Sequence, residues 1–256
     1  MEERAYTTLG PGTAQLGNRW IARSWSAFMG QTIGLEQAAG PTEWLAGKAP
    51  EFAVETDTAA LGVMELGDVE WSEERSEWGA GLVMRKSSPE GLGVVVGNLA
   101  FHEAPVLVRT VRVFNAGTAP VQVHAVRADV LPLAAADAVV YADALTAERP
   151  SAVTDAASGP VAVAADGRGL VFGIEGTGVI DVFHGGPGEC AFVFAGPRTI
   201  RQGRHWDLAP MYMIPFAGGM GDHVHKLIAR YRKQRDAMRA WEAECRRQQR
   251  EETRRN

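Results

Sequence analysis

The sequence has few features that would anchor or crosslink the chain. Its 256 residues include only two cysteines, Cys190 and Cys245, which is too few for a disulfide framework or a paired-cysteine metal site. No apolar run approaches the roughly 20 residues that span a bilayer, and the first ten residues, MEERAYTTLG, do not have the pattern of a secretory signal. We therefore expect a cytoplasmic protein without a membrane segment, a metal or another cofactor.

The common catalytic signatures are also missing. The sequence contains no P-loop, no G-x-S-x-G elbow, no H-E-x-x-H pair and no Rossmann glycine pattern after a predicted strand. The enzyme classes that these motifs define therefore have no support in the sequence.

Charge is unevenly distributed along the chain. The net charge is −5, but residues 226–256 hold eleven Lys or Arg and five Asp or Glu, so that the rest of the chain is strongly acidic. Such asymmetry is found in tails that bind nucleic acid or membranes, and also in tails that fold against their own acidic body. We favour the second interpretation and expect no nucleic-acid partner.

Short runs with strand character are abundant. Residues 106–115 and 121–131 alternate apolar and polar side chains and are joined by a short Gly-containing loop, which predicts an antiparallel hairpin. Many short strands predict an all-β sandwich or barrel, which we place in residues 1–218. The other predicted strands are 80–86, 93–101, 138–142, 161–165, 170–174, 179–183, 191–195 and 211–216.

Residues 219–256 have a different pattern. Apolar residues recur at alternating steps of three and four residues, interrupted by Gln234, and predict an amphipathic basic helix of about seven turns. The helix either docks on the β body or pairs with another chain, in a homo-oligomer or with a separate catalytic chain, because a heptad-like seam suits both. The apolar positions are Met220, Val224, Leu227, Tyr231, Met238, Trp241 and Cys245.

Two histidines follow predicted strands, where the loops of a sandwich gather and where sites usually lie. His102 follows one strand directly, and His184 lies five residues before Glu189. Because a histidine with a carboxylate can transfer protons, the catalytic candidates are His102, His184 and Glu189. A purely structural role is the alternative for each of them.

The stretch WSEERSEW, residues 71–78, combines two indoles with carboxylates and a guanidinium group. If it is extended, Trp71, Glu73 and Arg75 share one face, and Trp78 lies on the other. Indole rings can stack on sugars while charged groups bind their hydroxyls, so the predicted ligand-binding residues are Trp71, Glu73, Arg75 and Trp78. In the alternative interpretation, one indole packs into the core and the charges are solvated or pair with each other at the surface.

Residues 106–133 resemble the central strands of the galactose mutarotase-like β-supersandwich. The resemblance is carried by Arg112, Asn115, Gly117, Pro120 and Val121, which are similar to a strand-turn-strand pattern in the N-terminal domains of family 36 α-galactosidases and related glycoside hydrolases and phosphorylases. LGNRW, residues 16–20, is similar to their opening strand. The resemblance covers about residues 1–235 and implies a large antiparallel β-supersandwich followed by a C-terminal α-helix.

The resemblance also implies a function related to carbohydrate. In the multidomain enzymes a later domain carries the catalytic groups, so we expect this chain to bind or present a glycan without a glycosidase module of its own. A second hypothesis is an aldose epimerase, which would use a histidine and a glutamate as acid and base, as stand-alone supersandwiches of this type do. A third hypothesis is an assembly protein that acts through its C-terminal helix.

Overall fold

The computed structural model describes residues 4–37, 42–133, 139–141, 144–145, 159–183, 188–218 and 222–255. They form nineteen strands and one helix. The elements are β1 Tyr6–Leu9, β2 Thr13–Gly17, β3 Ile21–Ser26, β4 Thr32–Gln37, β5 Thr42–Glu43, β6 Phe52–Thr56, β7 Ala60–Gly62, β8 Glu70–Arg75, β9 Gly79–Ser87, β10 Leu92–Phe101, β11 Leu107–Asn115, β12 Val121–Leu133, β13 Val139–Tyr141, β14 Val161–Ala165, β15 Arg168–Ile174, β16 Val179–Phe183, β17 Gly188–Ile200, β18 Arg204–Asp207, β19 Met211–Ala217 and α1 Asp222–Arg255.

The strands form three antiparallel sheets. The largest has nine strands in the order β13-β14-β15-β19-β11-β10-β9-β8, with β18 beside β11. Two five-stranded sheets, β1 to β5 in sequence order and β16-β17-β12-β6-β7, are connected through a bridge between Leu45 and Leu133. This arrangement confirms the predicted all-β fold with a C-terminal helix.

The nine-stranded sheet is covered on both faces, because its strands carry apolar side chains on both sides. One face contributes residues such as Val96 and Val113 to the main core, which includes Trp25 from the first five-stranded sheet and Phe192 from the second. The other face packs against α1 in a separate cluster. That cluster contains Phe101, Tyr212, Ile214, Phe216, Val224, Ile228 and Tyr231.

The predicted hairpin between β11 and β12 is wrong. The two strands belong to different sheets: β11 pairs with β10, β18 and β19, whereas β12 pairs with β6 and β17. Both strands contribute buried residues to the main core, among them Val111 and Val123. The connection between β11 and β12 therefore crosses from one layer of the sandwich to the other.

The turn after β11 is fixed by Asn115. Its side-chain amide donates hydrogen bonds to the carbonyl oxygens of Ala119, at 2.8 Å, and Ile200, at 2.9 Å, and its oxygen accepts one from the Gly117 backbone at 2.9 Å. A Cβ atom on Gly117 would collide with the carbonyl oxygen of Glu90. The residues that carry the resemblance therefore shape this crossing between layers.

Helix α1 docks through its first half. Val224, Ile228 and Tyr231 are buried, whereas the side chain of Trp241, further along the helix, is 46% exposed. The burial of these three residues agrees with docking of the N-terminal half of the apolar stripe on the β body. No helix in the described residues is both long and apolar enough to cross a membrane.

Glu175 holds the docked helix by its charge. Its side chain is only 5% exposed and accepts hydrogen bonds from Arg235 at 2.9 Å and from Arg239 at 2.6 Å, as well as from the hydroxyl of Tyr231. Burial, reinforced by the neighbouring Glu175 carboxylate, raises the pKa of Tyr231. The tyrosine hydroxyl therefore keeps its proton and acts as a donor.

Candidate functional site

An open pocket of about 540 Å³ lies where several loops meet at one end of the nine-stranded sheet. Its volume is in the range of small-molecule sites. We call it the Trp78 pocket. Its lining comes from the residues before β1, the β2–β3 turn, the β8–β9 turn, the β10–β11 loop and α1, and consists of Arg4, Arg19, Ser76, Glu77, Trp78, His102, Glu103, Arg230 and Gln234.

A tight turn positions Trp78. The hydroxyl of Ser76 accepts hydrogen bonds from the backbone N–H groups of Trp78 and Gly79, both at 3.2 Å. The predicted extension of residues 71–78 is therefore wrong at its end, because β8 stops at Arg75 and Ser76 bonds the backbone into a turn. The turn leaves Trp78 partly buried against the cluster beneath α1, at the wall of the pocket.

Trp71 lies on the other side of the sheet. Its indole N–H donates to the carbonyl oxygen of Ala27 at 2.8 Å, and its ring centroid is 6.0 Å from that of Trp25 in the main core. Glu73 and Arg75 are exposed along β8 and do not line the Trp78 pocket. Of the four predicted ligand-binding residues, the pocket therefore contains only Trp78.

His102 connects the segments that form the pocket. Its Nδ1 atom accepts a hydrogen bond from the backbone N–H of Ala5 at 3.0 Å, and its Nε2 atom lies 3.3 Å from the carbonyl oxygen of Ser76. A backbone N–H can only donate and a carbonyl can only accept. His102 is therefore a neutral imidazole whose two nitrogens are both occupied in holding the pocket together.

Glu189, a predicted catalytic residue, is not found beside His102. Glu189 lies on β17, in the opposite layer, and pairs with Arg127 at 2.6 Å. Burial raises the pKa of nearby Asp181; Arg127 acts in the opposite direction, and Glu189 adds to the increase. His184 lies outside the described residues. The structure therefore does not bring His102 and Glu189 together as an acid–base pair.

Charged side chains from distant parts of the chain complete the pocket. Glu77 belongs to WSEERSEW and Glu103 follows His102, whereas Arg4 and Arg230 come from near the two ends of the chain. The guanidinium carbon of Arg19 lies 4.0 Å from the ring centroid of Trp20, and that of Arg230 lies 5.8 Å from it. Of the five charged side chains in this lining, only Glu77 and Arg19 belong to stretches that are distinctive in the sequence, WSEERSEW and LGNRW.

The densest group of charges in the described residues is closed to ligands. Arg23 and Arg109 pair with Glu51 and Asp129 between the layers, with Arg23 2.8 Å from Glu51 and 2.5 Å from Asp129, and all four side chains are nearly inaccessible. Burial alone would lower the pKa of Arg23, but the two carboxylates raise it. Two positive and two negative charges balance, which makes this group a structural network.

Neither a protein-family profile nor a curated protein matches the sequence. Solved structures with the same fold do match. The GH36 alpha-galactosidase AgaB from Geobacillus stearothermophilus has a TM-score of 0.60 and 14% identity, over 84% of this chain and 41% of that chain. The alpha-N-acetylgalactosaminidase NagBb from Bifidobacterium bifidum has a TM-score of 0.61 and 11% identity, over 90% of this chain and 39% of that chain.

An alpha-mannosidase from Enterococcus faecalis V583 matches with a TM-score of 0.58 and 10% identity, over 87% of this chain and 31% of that chain. The fold is thus that of a domain found in glycoside hydrolases. More particularly, it is the all-antiparallel fold of the N-terminal domain of GH36 alpha-galactosidases and related glycoside hydrolases, as the resemblance predicted. This chain spans less than half the length of these enzymes.

Proposed function

We propose that this protein is a carbohydrate-related β-supersandwich that binds or presents a glycan in the Trp78 pocket. The fold that it shares with domains of glycoside hydrolases supports a role with carbohydrate. The observation that carries the proposal is the lining of the pocket, where Trp78 lies with the carboxylates of Glu77 and Glu103 and with arginine side chains. An indole offers a flat apolar surface to a sugar ring, while carboxylates accept hydrogen bonds from hydroxyls and guanidinium groups donate them.

Binding fits this pocket better than proton transfer does. An epimerase needs a histidine that can exchange a proton with its substrate through a free ring nitrogen. Both nitrogens of His102 are engaged by the protein, through Ala5 and Ser76. The contacts of His102 therefore favour a glycan-binding site over an epimerase.

The apolar stripe of α1 supports only a limited contact with another chain. Val224 and Tyr231 are buried on the protein's own β sheet, so the distal half of the helix, with the exposed Trp241, is the part available to a partner. A homo-oligomer or a separate catalytic chain would make its contact there. This contact would leave the proposed glycan site open.

Substitution of Trp78 tests the proposed site. A glycan array with the full chain would first identify a bound saccharide, and titration calorimetry would then compare wild-type protein with Trp78→Ala and Trp241→Ala. Trp241 is the matched control, because its indole is exposed on α1 and does not line the pocket. We expect Trp78→Ala to weaken binding about tenfold, since loss of an aromatic contact costs about 1.4 kcal/mol, and Trp241→Ala to bind like wild type.

A control for folding is needed because Trp78 also packs beneath α1. Circular dichroism and thermal unfolding would show whether the Trp78→Ala protein is intact. An intact Trp78→Ala protein with wild-type affinity, or a wild-type chain that binds no glycan, would refute the proposal.

A further inference from the structure

Three arginines of the Trp78 pocket have no acidic partner among the residues that the structure describes. Within the described part of the chain, Arg4, Arg19 and Arg230 line the pocket and form no ion pair with a carboxylate. Arginines elsewhere on α1 differ, since Arg235 and Arg239 both bind the carboxylate of Glu175. Over the described ranges, the pocket therefore concentrates guanidinium groups that form no ion pair.

The charges inside the pocket favour an anion. Arginine stays protonated at any physiological pH, and the hydrogen bonds of His102 are those of a neutral ring. The lining of the pocket also includes two carboxylates, Glu77 and Glu103. The described lining residues therefore carry one more positive than negative charge, although the whole protein carries a net charge of −5. The attraction for an anion is therefore local to this pocket.

Two of the guanidinium groups are held near the same indole. Those of Arg19 and Arg230 lie 4.0 Å and 5.8 Å from the ring centroid of Trp20. Contact with an aromatic ring restricts the mobility of an arginine side chain and leaves its N–H groups free to donate. Planar guanidinium groups held in this way can bind the paired oxygens of a carboxylate or sulfate.

We infer that the ligand of the Trp78 pocket is an anionic saccharide. Arg4, Arg19 and Arg230 bind its carboxylate or sulfate group, while Trp78 contacts the sugar ring, and Glu77 and Glu103 accept hydrogen bonds from its hydroxyls. This inference rests on the proposed glycan-binding function and specifies the class of glycan.

Three matched probes test the inference with the full-length chain in titration calorimetry. They are a galacturonic acid oligomer, the same oligomer as its neutral methyl ester, and a sulfated galactose oligomer. We expect at least one anionic probe to bind about tenfold or more tightly than the ester, because a hydrogen bond to a charged group stabilises a complex by about 1.5 kcal/mol or more. This preference should decrease as sodium chloride is raised.

Substitution variants locate the effect. Arg19→Gln and Arg230→Gln should each weaken binding of the preferred anionic probe about tenfold and change binding of the ester little. Lys233→Gln is the matched control, since it removes the same charge from an exposed position of α1 that does not line the pocket. It should bind like wild type.

The outcomes separate this inference from the proposed function. Equal affinity for acid and ester, with both lost in Trp78→Ala, would overturn the anionic preference and leave the glycan site in place. The inference would also be overturned if Lys233→Gln weakened binding of the preferred anionic probe as much as Arg230→Gln does. The attraction would then come from the positive charge of the helix in general and not from the pocket. If the protein binds none of the three probes, the inference is overturned. If it also binds no neutral glycan, the proposed function is overturned as well. Preference for the acid over the sulfated probe, or the reverse, would support the inference and identify the oxyanion.

Discussion

Replacement of Glu175 by glutamine should loosen α1 without unfolding the β sandwich. The substitution keeps the size of the side chain and removes the charge that Tyr231, Arg235 and Arg239 share. A hydrogen bond to a charged group contributes about 1 kcal/mol more than a neutral one. Two of the three partners, Tyr231 and Arg235, are largely buried, whereas Arg239 is half-exposed and adds less than about 1 kcal/mol.

The expected loss is therefore about 2–3 kcal/mol, and it should be confined to the docking of the helix. Hydrogen exchange followed by mass spectrometry measures such a local change. The amides of α1 should lose protection by about 30- to 150-fold, while those of β10 and β17 should keep theirs. Because Arg230 and Gln234 reach the Trp78 pocket from the same helix, glycan binding should weaken as well.

Glu242→Gln provides the matched control for this experiment. It removes one glutamate charge from the same helix, where the side chain of Glu242 is 42% exposed and lies 3.8 Å from Arg246. Such a pair contributes about 0.5 kcal/mol or less. If Glu175→Gln and Glu242→Gln change the protection of α1 equally, the role assigned to Glu175 is wrong. If β10 and β17 lose as much protection as α1, the helix does not dock as a separate unit.

Two further predictions concern the sandwich itself. Asn115→Ala should lower the free energy of urea unfolding by about 3 kcal/mol or more, because it leaves the buried carbonyl of Ile200 and that of Ala119 without their donor; a loss below about 1 kcal/mol would contradict this role. Burial and Glu189 raise the pKa of Asp181, so the folded wild type binds the proton more tightly than the unfolded chain does. The wild type therefore loses stability as pH rises above the ordinary aspartate pKa of 3.8, and Asp181→Asn, which does not titrate, should become progressively more stable than wild type over the same pH range. Urea unfolding at several pH values would show the difference growing up to the raised pKa and constant above it; an opposite trend would refute the assignment.

Most strands could be predicted from local patterns, but their neighbours could not. The runs 93–101 and 211–216 lie within one residue of β10 and β19. Alternation identifies the buried side of a strand and gives no information about its pairing partner. For this reason β11 and β12 look like a hairpin in the sequence, although the hydrogen bonds of Asn115 turn the chain across the core.

The site was predictable only where its residues are close in sequence. Trp78 and His102 were singled out because each belongs to a distinctive stretch, and the pairing of Gly79 with Phe101 brings those stretches to one end of the sheet. Arg4 and Arg230 had no such signal, since single surface arginines follow no pattern. Their convergence depends on where β1 and α1 pack, which is a property of the whole fold.

The position of β8 gives the acidic part of WSEERSEW a different meaning. Within the described residues β8 pairs only with β9 and is the last strand of its sheet, so the backbone groups along its outer side are open to another strand. The exposed side chains of Glu73, Glu74 and Arg75 place charges along that border. Charged borders discourage two sheets from joining edge to edge. The glutamates that suggest sugar chemistry in the sequence therefore help to keep neighbouring copies of the protein from aggregating.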